Sequence, residues 1–349
     1  MAEAKKAAQT PSIVRNEPTI WDVAKAAGVS IAAVSQALNA KGRIASRTRR
    51  NILAVARQLR YHPNRHARNL AARASRTLGI VVSDIENPFF SVLIRSFEAQ
   101  ARSSRYDVIV SETNYDLELM ERAAERLIEQ KLRGVAIMTS EMSVSWLEEI
   151  IRRDIPVVCF DLDFPGSRAS NIQVDYVAGM RQAIGHLHNF GHRRIAFVGG
   201  QLQLNNILWR QDSYSRAMRE QGLEIGPILT GNQRLDGGYE AGQSIMKMAS
   251  RPTAVIAVND LTAIGLINAF FERGLRVPED ISVSGFDNTY LSSYFIPRLT
   301  TVDMHPALLG RTAAEALHEA SSSSNTRGKQ YPIAIDLVIG KSTGPAPNA

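Results

Sequence analysis

Apolar residues in the stretch TIWDVAKAAGVSIAAVSQALN, Thr19 to Asn39, recur at helical spacing. Ile20, Val23 and Ala24 fall on one helical face. After a break at Gly28, the pattern resumes with Ala33, Val34, Ala37 and Leu38. Ser30 stands where an N-cap belongs, with a hydroxyl able to accept from the free amides that follow it. Two short helices hinged at a glycine predict a helix-turn-helix, whose second helix fits the DNA major groove. Taken alone, the pattern also suits two small helices of a bundle. A third helix is predicted over Thr48–Leu59, with Ile52, Val55, Ala56 and Leu59 inward and Arg49, Arg50 and Arg57 outward. Pro63 stops it by disfavouring helix at His62. The next segment, NRHARNLAAR (Asn64 to Arg73), bears one large hydrophobe, Leu70, and is too short to be a stable helix alone. It reads as a hinge that orders on a partner.

From Thr77 the pattern turns into apolar strands alternating with amphipathic helices. The strands TLGIVVS, YDVIVSE, GVAIM and PVVCF are separated by helices over Pro88–Ser104, Asp116–Lys131 and Val144–Arg153. The alternation then restarts. NIQV, a helix over Tyr176–Phe190 and RIAFVGG come first; helices near Trp209–Gln221 and Tyr239–Ala249 follow. TAVIAV, a helix over Leu261–Arg273 and ISVSGF complete the second set. LTTVDMHPALLGRTAAEALHEA reads as a short link and one more amphipathic helix, SSSSNTRGK as a polar loop, YPIAIDLVIGKST as one or two strands, and GPAPNA as a frayed end. The fold class predicted is a small all-α helix-turn-helix head plus an α/β core of two doubly wound parallel-sheet lobes. No leucine heptad follows, so no C-terminal coiled coil is expected.

A chain of 349 residues predicts about two or three domains, and 44% hydrophobic residues suffice for large cores. The single cysteine, Cys159, excludes an intramolecular disulfide and suits a reducing cytosol. There is no run of 18 apolar residues, so no membrane association is expected. The opening MAEAKKAAQTPSIVRNEP carries lysines but no apolar core of a signal peptide, and a flexible leader is expected. Cytoplasmic localisation is the expectation that follows. Charge sharpens the picture: residues 1–76 hold 15 Lys and Arg against three acids, leaving 26 against 31 for the rest. Only the head is basic, which points to phosphate contacts with counterion release.

Two α/β lobes leave a cleft at the carboxyl ends of their strands, where small ligands bind. Asp161 after VVCF, Asn259-Asp260 after TAVIAV and Asp287 after ISVSGF all stand at such ends. Each can cap the next helix, or all can share a site. Enzymatic chemistry finds little support. The FVGGQ turn is too short for a dinucleotide loop and no phosphate-binding G-x-x-x-x-G-K-[ST] occurs. His186 and His188 point to different sides of a helix, His192 follows in a turn, and no nucleophile–base pair is visible. No cofactor or metal is expected.

These motifs, in order, resemble the lactose-repressor (LacI/GalR) family of bacterial transcription factors: TIWDVAKAAGVSIAAVSQALN, YHPNRHARNLA, LGIVVSDIENPFF, GHRRIAFVGG, AVIAVNDLTAIG, GLRVPEDISVSGFDN and IPRLTTV. The similarity spans Thr19 to about Thr343. It implies a repressor with a DNA-binding head, a hinge helix and a periplasmic-binding-protein-like core. It also implies a homodimer (in some members a tetramer) on palindromic operator DNA, controlled by a small effector, most simply a sugar or sugar derivative. The implied organisation is a leader over 1–18, a head over 19–63, a hinge over 64–76 and a tail over 344–349. The N-terminal lobe takes 77–174 and 303–330, and the C-terminal lobe 175–302 and 331–343. An extracytoplasmic sugar-binding protein is the rival class, and the basic head and missing signal peptide stand against it.

By position, the resemblance makes Ile31, Ala32 and Gln36 the base-reading residues. The family commonly has Arg at the third; Gln36 suits adenine N6 and N7 where Arg would suit guanine, and also suits a phosphate contact. Ile31 and Ala32 offer only apolar contact with a thymine methyl. Thr19, Ser30, Ser35, Asn39 and Tyr61, with Asn64 at the hinge, match phosphate-contacting positions that fix register. Leu70 matches a hinge leucine wedged into the minor groove at the operator centre. In the cleft, Phe89 and Phe90 match stacking positions, Phe89 being equally suited to the core. Asp161, Arg210, Asn259 and Asp287 match polar effector contacts, with Asn206 beside them. Gly237 stands where an aromatic lid is common, and Met304 and Pro306 at a rim often polar or aromatic; Trp209 is placed to compensate.

Overall fold

The computed structural model describes residues 18–39, 44–61, 75–139, 141–161, 168–200, 205–322 and 327–347, with the side chains of Asn39, Asn205 and Asn206 excepted. Residues 1–17 of the expected leader and 64–74 of the expected hinge, with Asn64 and Leu70, lie outside them. The chain divides into two compact units, the head up to Ala74 and the body from Ser75.

The head is three helices: α1 (Ile20–Ala27), α2 (Ile31–Asn39) and α3 (Ser46–Gln58). Thr19 and Asp22 form a capping box at the start of α1. Gly28 ends it in the left-handed conformation, φ +66, which glycine adopts without strain. Ser30 Oγ accepts from the Ala33 amide at 3.2 Å and starts α2 as the sequence predicts. Val23, Ala24, Val34, Ala37, Ile52 and Ala56 make one small core beneath all three helices.

The body holds two six-stranded sheets. The first runs in the order β11-β5-β4-β3-β1-β2: β1 (Thr77–Val82), β2 (Asp107–Glu112), β3 (Gly134–Met138), β4 (Val157–Phe160), β5 (Ala169–Val174) and β11 (Gln330–Ile333). Its helices are α4 (Pro88–Ser103), α5 (Leu117–Glu129), α6 (Val144–Arg152) and the late α12 (Pro306–Ser322), which returns to pack on α4. The second sheet runs β12-β10-β9-β8-β6-β7: β6 (Ile195–Gly199), β7 (Ile228–Thr230), β8 (Ala254–Ala257), β9 (Ser282–Asp287), β10 (Thr300–Asp303) and β12 (Asp336–Val338). With it go α7 (Tyr176–Asn189), α8 (Asn205–Glu220), α9 (Leu235–Met246), α10 (Asp260–Glu272) and the short α11 (Tyr290–Tyr294).

All pairings are parallel except β10 with β12. The central strands β1, β3, β4, β6, β8 and β9 are buried on both faces, as helices on either side of a parallel sheet require. The chain passes between lobes after β5, after β10 and after β11. Since β11 pairs with β5, the final crossing follows Ile333, later than the expected switch at 331. The expected link before α12 contains β10, and α8 and α9 begin about one turn earlier than their periodicity predicts.

Candidate functional site

In the head, the sequence-predicted reading face divides. Ala32 and Gln36, one turn apart on α2, are exposed, whereas Ile31 and Ser35 are half-buried and Ile31 packs against the head core. Thr19 and Ser30 are exposed although their hydroxyls are engaged in caps, and Tyr61 is half-buried. Arg49, Arg50 and Arg57 lie outward. Trp21, which the sequence reading left without a role, is 69% exposed on the first turn of α1, an unusual cost for an indole unless something covers it.

In the body, a cleft between the lobes counts about 440 Å³ of unfilled space out to its open mouth. Its apolar walls are Phe89, Phe90, Tyr115, Met138 and Phe160 from the first lobe and Ile207 from the second. Its polar groups come from both lobes: Ser83, Asn87 and Thr139 face Arg210, Gln233, Asn259 and Asp287. Asn87 caps α4 by accepting from the Phe89 amide at 3.0 Å, with Pro88 at the first helical position, so the NPFF sequence aims both aromatics inward. The two rings meet edge to face, centroids 5.1 Å apart. Both also belong to the core, so lining the cleft and packing are one role here.

Arg210 is the buried cation of the site. Its guanidinium lies 5.1 Å from the ring centroids of both Tyr176 and Phe286. It donates to the Val258 carbonyl. Its Nη2 stops 3.8 Å from Asp287 Oδ1, too far for a direct hydrogen bond. Its Nε has no partner among the described residues. Asp287 ends β9 with φ +108, a strained backbone for a residue with a side chain. Burial pushes its carboxyl well above the usual range, against the pull of Arg210 and a hydrogen bond from Asn87. Arg210 and Asp287 therefore present unspent hydrogen-bonding capacity to the cleft.

Two predicted contacts are otherwise engaged. Asp161 does not line the cleft: Oδ1 accepts from the Val174 amide at 3.1 Å and Oδ2 from the Tyr176 hydroxyl. Burial raises its pKa to about 6. It positions Tyr176, whose ring backs Arg210. Asn259 does line the cleft, but its Oδ1 caps α10 at the Thr262 amide, 2.8 Å, and its Nδ2 donates to the Gln233 carbonyl, 2.7 Å. Asp260 is buried and accepts from Thr289 and Thr301, tying β9 to β10. The side chain of Asn206 is outside the described residues. Gly237 is not in the cleft; a Cβ there would lie 2.1 Å from Asn232 Oδ1. That close packing explains the glycine, and the cleft position nearest to it is Gln233. Met304 and Pro306 are buried, and Trp209 is absent from the cleft lining. Sequence reasoning missed Ser83, Asn87, Tyr115, Thr139 and Gln233; Ser83 and Thr139 follow strands β1 and β3 and carry the same strand-end signal as Asp161.

Hydrogen bonds join the lobes next to the cleft lining. Arg234 Nε donates to Asp84 Oδ2 at 3.0 Å and its Nη2 to Asn114 Oδ1. Among the described residues no group of three metal-binding side chains occurs, and no helix is long and apolar enough to cross a membrane. His192 is bound inside the second lobe by Thr253, Ser282 and the Gly344 carbonyl.

Residues 19–64 match the family described as bacterial regulatory proteins, lacI family, and residues 184–343 match the periplasmic binding protein-like domain. The transcriptional repressor PurR of Photobacterium profundum is 32% identical over 327 residues, 93% of this chain and 98% of that protein. The transcriptional regulator DegA of Bacillus subtilis is 33% identical over 333 residues, 94% and 98% respectively. Among solved structures, the lac repressor dimer bound to operator and the anti-inducer ONPF superposes with a TM-score of 0.81 at 27% identity, covering 94% of this chain and 100% of that one. A regulator from Enterococcus faecium with bound ribose gives 0.70 at 27% identity, covering 77% and 99%. A helix-turn-helix head, two parallel-sheet lobes and near-full-length similarity to repressors make this chain a DNA-binding transcriptional regulator of the lacI family.

Proposed function

We propose that this protein is a cytoplasmic repressor that binds palindromic operator DNA as a homodimer, with an affinity set by a small polar effector held between its lobes. The observation that carries this reading is the pairing of two features in one chain. The basic head exposes Ala32 and Gln36 on its second helix. The body holds Arg210 and Asp287 in an interlobe cleft, 3.8 Å apart and without a direct bond.

On this reading Ala32 and Gln36 meet base edges, with Ile31 at the margin. Thr19, Ser30, Ser35, Asn39, Tyr61 and Asn64 hold phosphates, and Leu70 enters the minor groove at the operator centre. Two copies then meet at the dyad, so dimer and palindrome require each other. An isologous surface is available on the second lobe, where Tyr290, Tyr294 and Ile296 are 59%, 82% and 89% exposed. The dimeric state of the lac repressor on its operator supports the same assembly here. The protein binds rather than catalyses, as its repressor relatives do. Ribose in a relative supports a sugar; Asp161 and Asn259 are committed to the fold, which leaves Asp287 as the one carboxylate among the described cleft-lining residues to accept from sugar hydroxyls. Tetramers have no support beyond the family.

Selection of bound duplexes from a random library, followed by titration across salt concentrations, tests the reading. The expected outcome is a palindrome with affinity falling steeply as salt rises. Equal affinity for the selected and scrambled duplexes overturns it.

A further inference from the structure

Gln233 occupies the turn between β7 and α9 with φ +66, a left-handed conformation that a glutamine adopts only under strain. The turn sends its side chain beneath the end of β6, where a Cβ on Gly200 would lie 2.5 Å from Gln233 Oε1. The absence of a side chain at Gly200 makes the room for that amide. Gln233 is 4% exposed and lines the cleft beside Arg210 and Asp287. Neither Oε1 nor Nε2 has a hydrogen-bond partner among the described residues. A buried carboxamide with both ends unmet is costly, and in a cleft lining such a group calls for a partner that a ligand or an ordered water supplies. Asn259 cannot relieve it, since its amide is spent on the Gln233 main chain and the α10 cap.

Resting on the effector reading above, we infer that Gln233 determines the specificity of the cleft by pairing with an amide edge on a flat effector. That edge is a carbonyl oxygen and an N–H side by side, as in a lactam or cyclic imide. Nε2 donates to the ligand carbonyl, and Oε1 accepts from the ligand N–H, two bonds in one plane. Phe89, Phe90, Tyr115 and Phe160 supply apolar faces for a flat ring. The free Arg210 Nε offers a donor for a second carbonyl. A sugar is the weaker fit, because reading several hydroxyls calls for several acceptors, and among the described cleft-lining residues Asp287 is the one carboxylate and Gln233 the one unspent amide.

The test is calorimetric titration of the full-length protein with uracil, hydantoin, pyridone and N-methylpyridone, and with ribose and galactose. At least one N–H lactam binds, and N-methylation of pyridone removes its binding. Gln233→Glu weakens the lactam about 10- to 100-fold, because a carboxylate repels the ligand carbonyl that the amide held. The N-methyl control needs no variant and stands if Gln233→Glu fails to fold. The inference is overturned if sugars bind and lactams do not, if Gln233→Glu keeps lactam affinity, or if no lactam binds. Operator binding by the same preparation separates the two readings: intact operator binding with no lactam binding sinks this inference alone, and loss of both sinks the repressor reading.

Discussion

Arg234 on the second lobe donates to the buried carboxylate of Asp84 on the first, 3.0 Å away, and also to Asn114. Asp84 is 2% exposed, and its other oxygen accepts from the Glu86 amide at 2.9 Å. This is a latch between the lobes, and it sits one residue from two cleft-lining positions, Ser83 and Gln233. Arg234→Ala leaves Asp84 buried without its cross-lobe donor. The lobes then part more easily, and the body loses about 1 kcal/mol, a modest figure because the arginine is partly solvated. Small-angle scattering of the ligand-free protein should show a wider body for the variant, and urea melts a lower midpoint. Superimposable curves would remove the latch from the account.

Asp161 predicts a pH dependence of known sign. Its folded pKa is raised to about 6 from 3.8. Below about pH 4 both states hold the proton and the residue is silent. Between about pH 4 and 6 the native state keeps a proton that the unfolded state has released, so stability falls as pH rises, and above 6 the loss is complete. Asp161→Asn removes this slope. Relative to wild type the variant should gain on the order of 2–3 kcal/mol between pH 4 and pH 7 in denaturant titrations. Parallel profiles for the two proteins contradict the burial argument.

Gln36 predicts one operator position. A glutamine bonds adenine N6 and N7 in the major groove, and arginine bonds guanine O6 and N7. Gln36→Arg should therefore turn one symmetric pair of positions from A·T to G·C, worth about 1–3 kcal/mol per half-site. Parallel selections with the two proteins check it. An invariant guanine opposite Gln36 in wild type, lost in Gln36→Ala, would refute the assignment.

Ile296 is 89% exposed and Tyr294 82%. Placed at an isologous interface, a charge on either copy is buried twice. Ile296→Asp should weaken the dimer at least tenfold by sedimentation, with the fold intact by circular dichroism. An unaltered dimer moves the interface elsewhere.

Much of this was legible in the sequence, for physical reasons. Runs such as VVCF and AVIAV are apolar on both faces because helices cover both sides of each sheet, so the strands announce themselves. What escaped is short or locally odd. β7 is three residues with a largely exposed pattern, α11 is five, and the first turn of α9 holds a Gly-Gly pair, Gly237-Gly238, that reads as a breaker. Those glycines exist for close packing, since a Cβ at Gly238 would lie 2.2 Å from the Thr262 carbonyl. In the site, strand-end Asp and Asn residues were visible, but not which were spent. Asp161 and Asn259 are spent on the backbone and Tyr176, whereas the Gln233 amide, in a turn with no periodicity, has no partner among the described residues. Only three dimensions separate a cap from a contact.

The central claim is that the cleft and the operator are coupled, and a pair of titrations addresses it most directly. Operator affinity is measured with and without the cleft ligand selected from the lactam and sugar panel, and ligand affinity with and without operator. Each is expected to change the other by the same factor, between about 5- and 150-fold. A ligand that saturates the cleft and leaves operator affinity unchanged would contradict it.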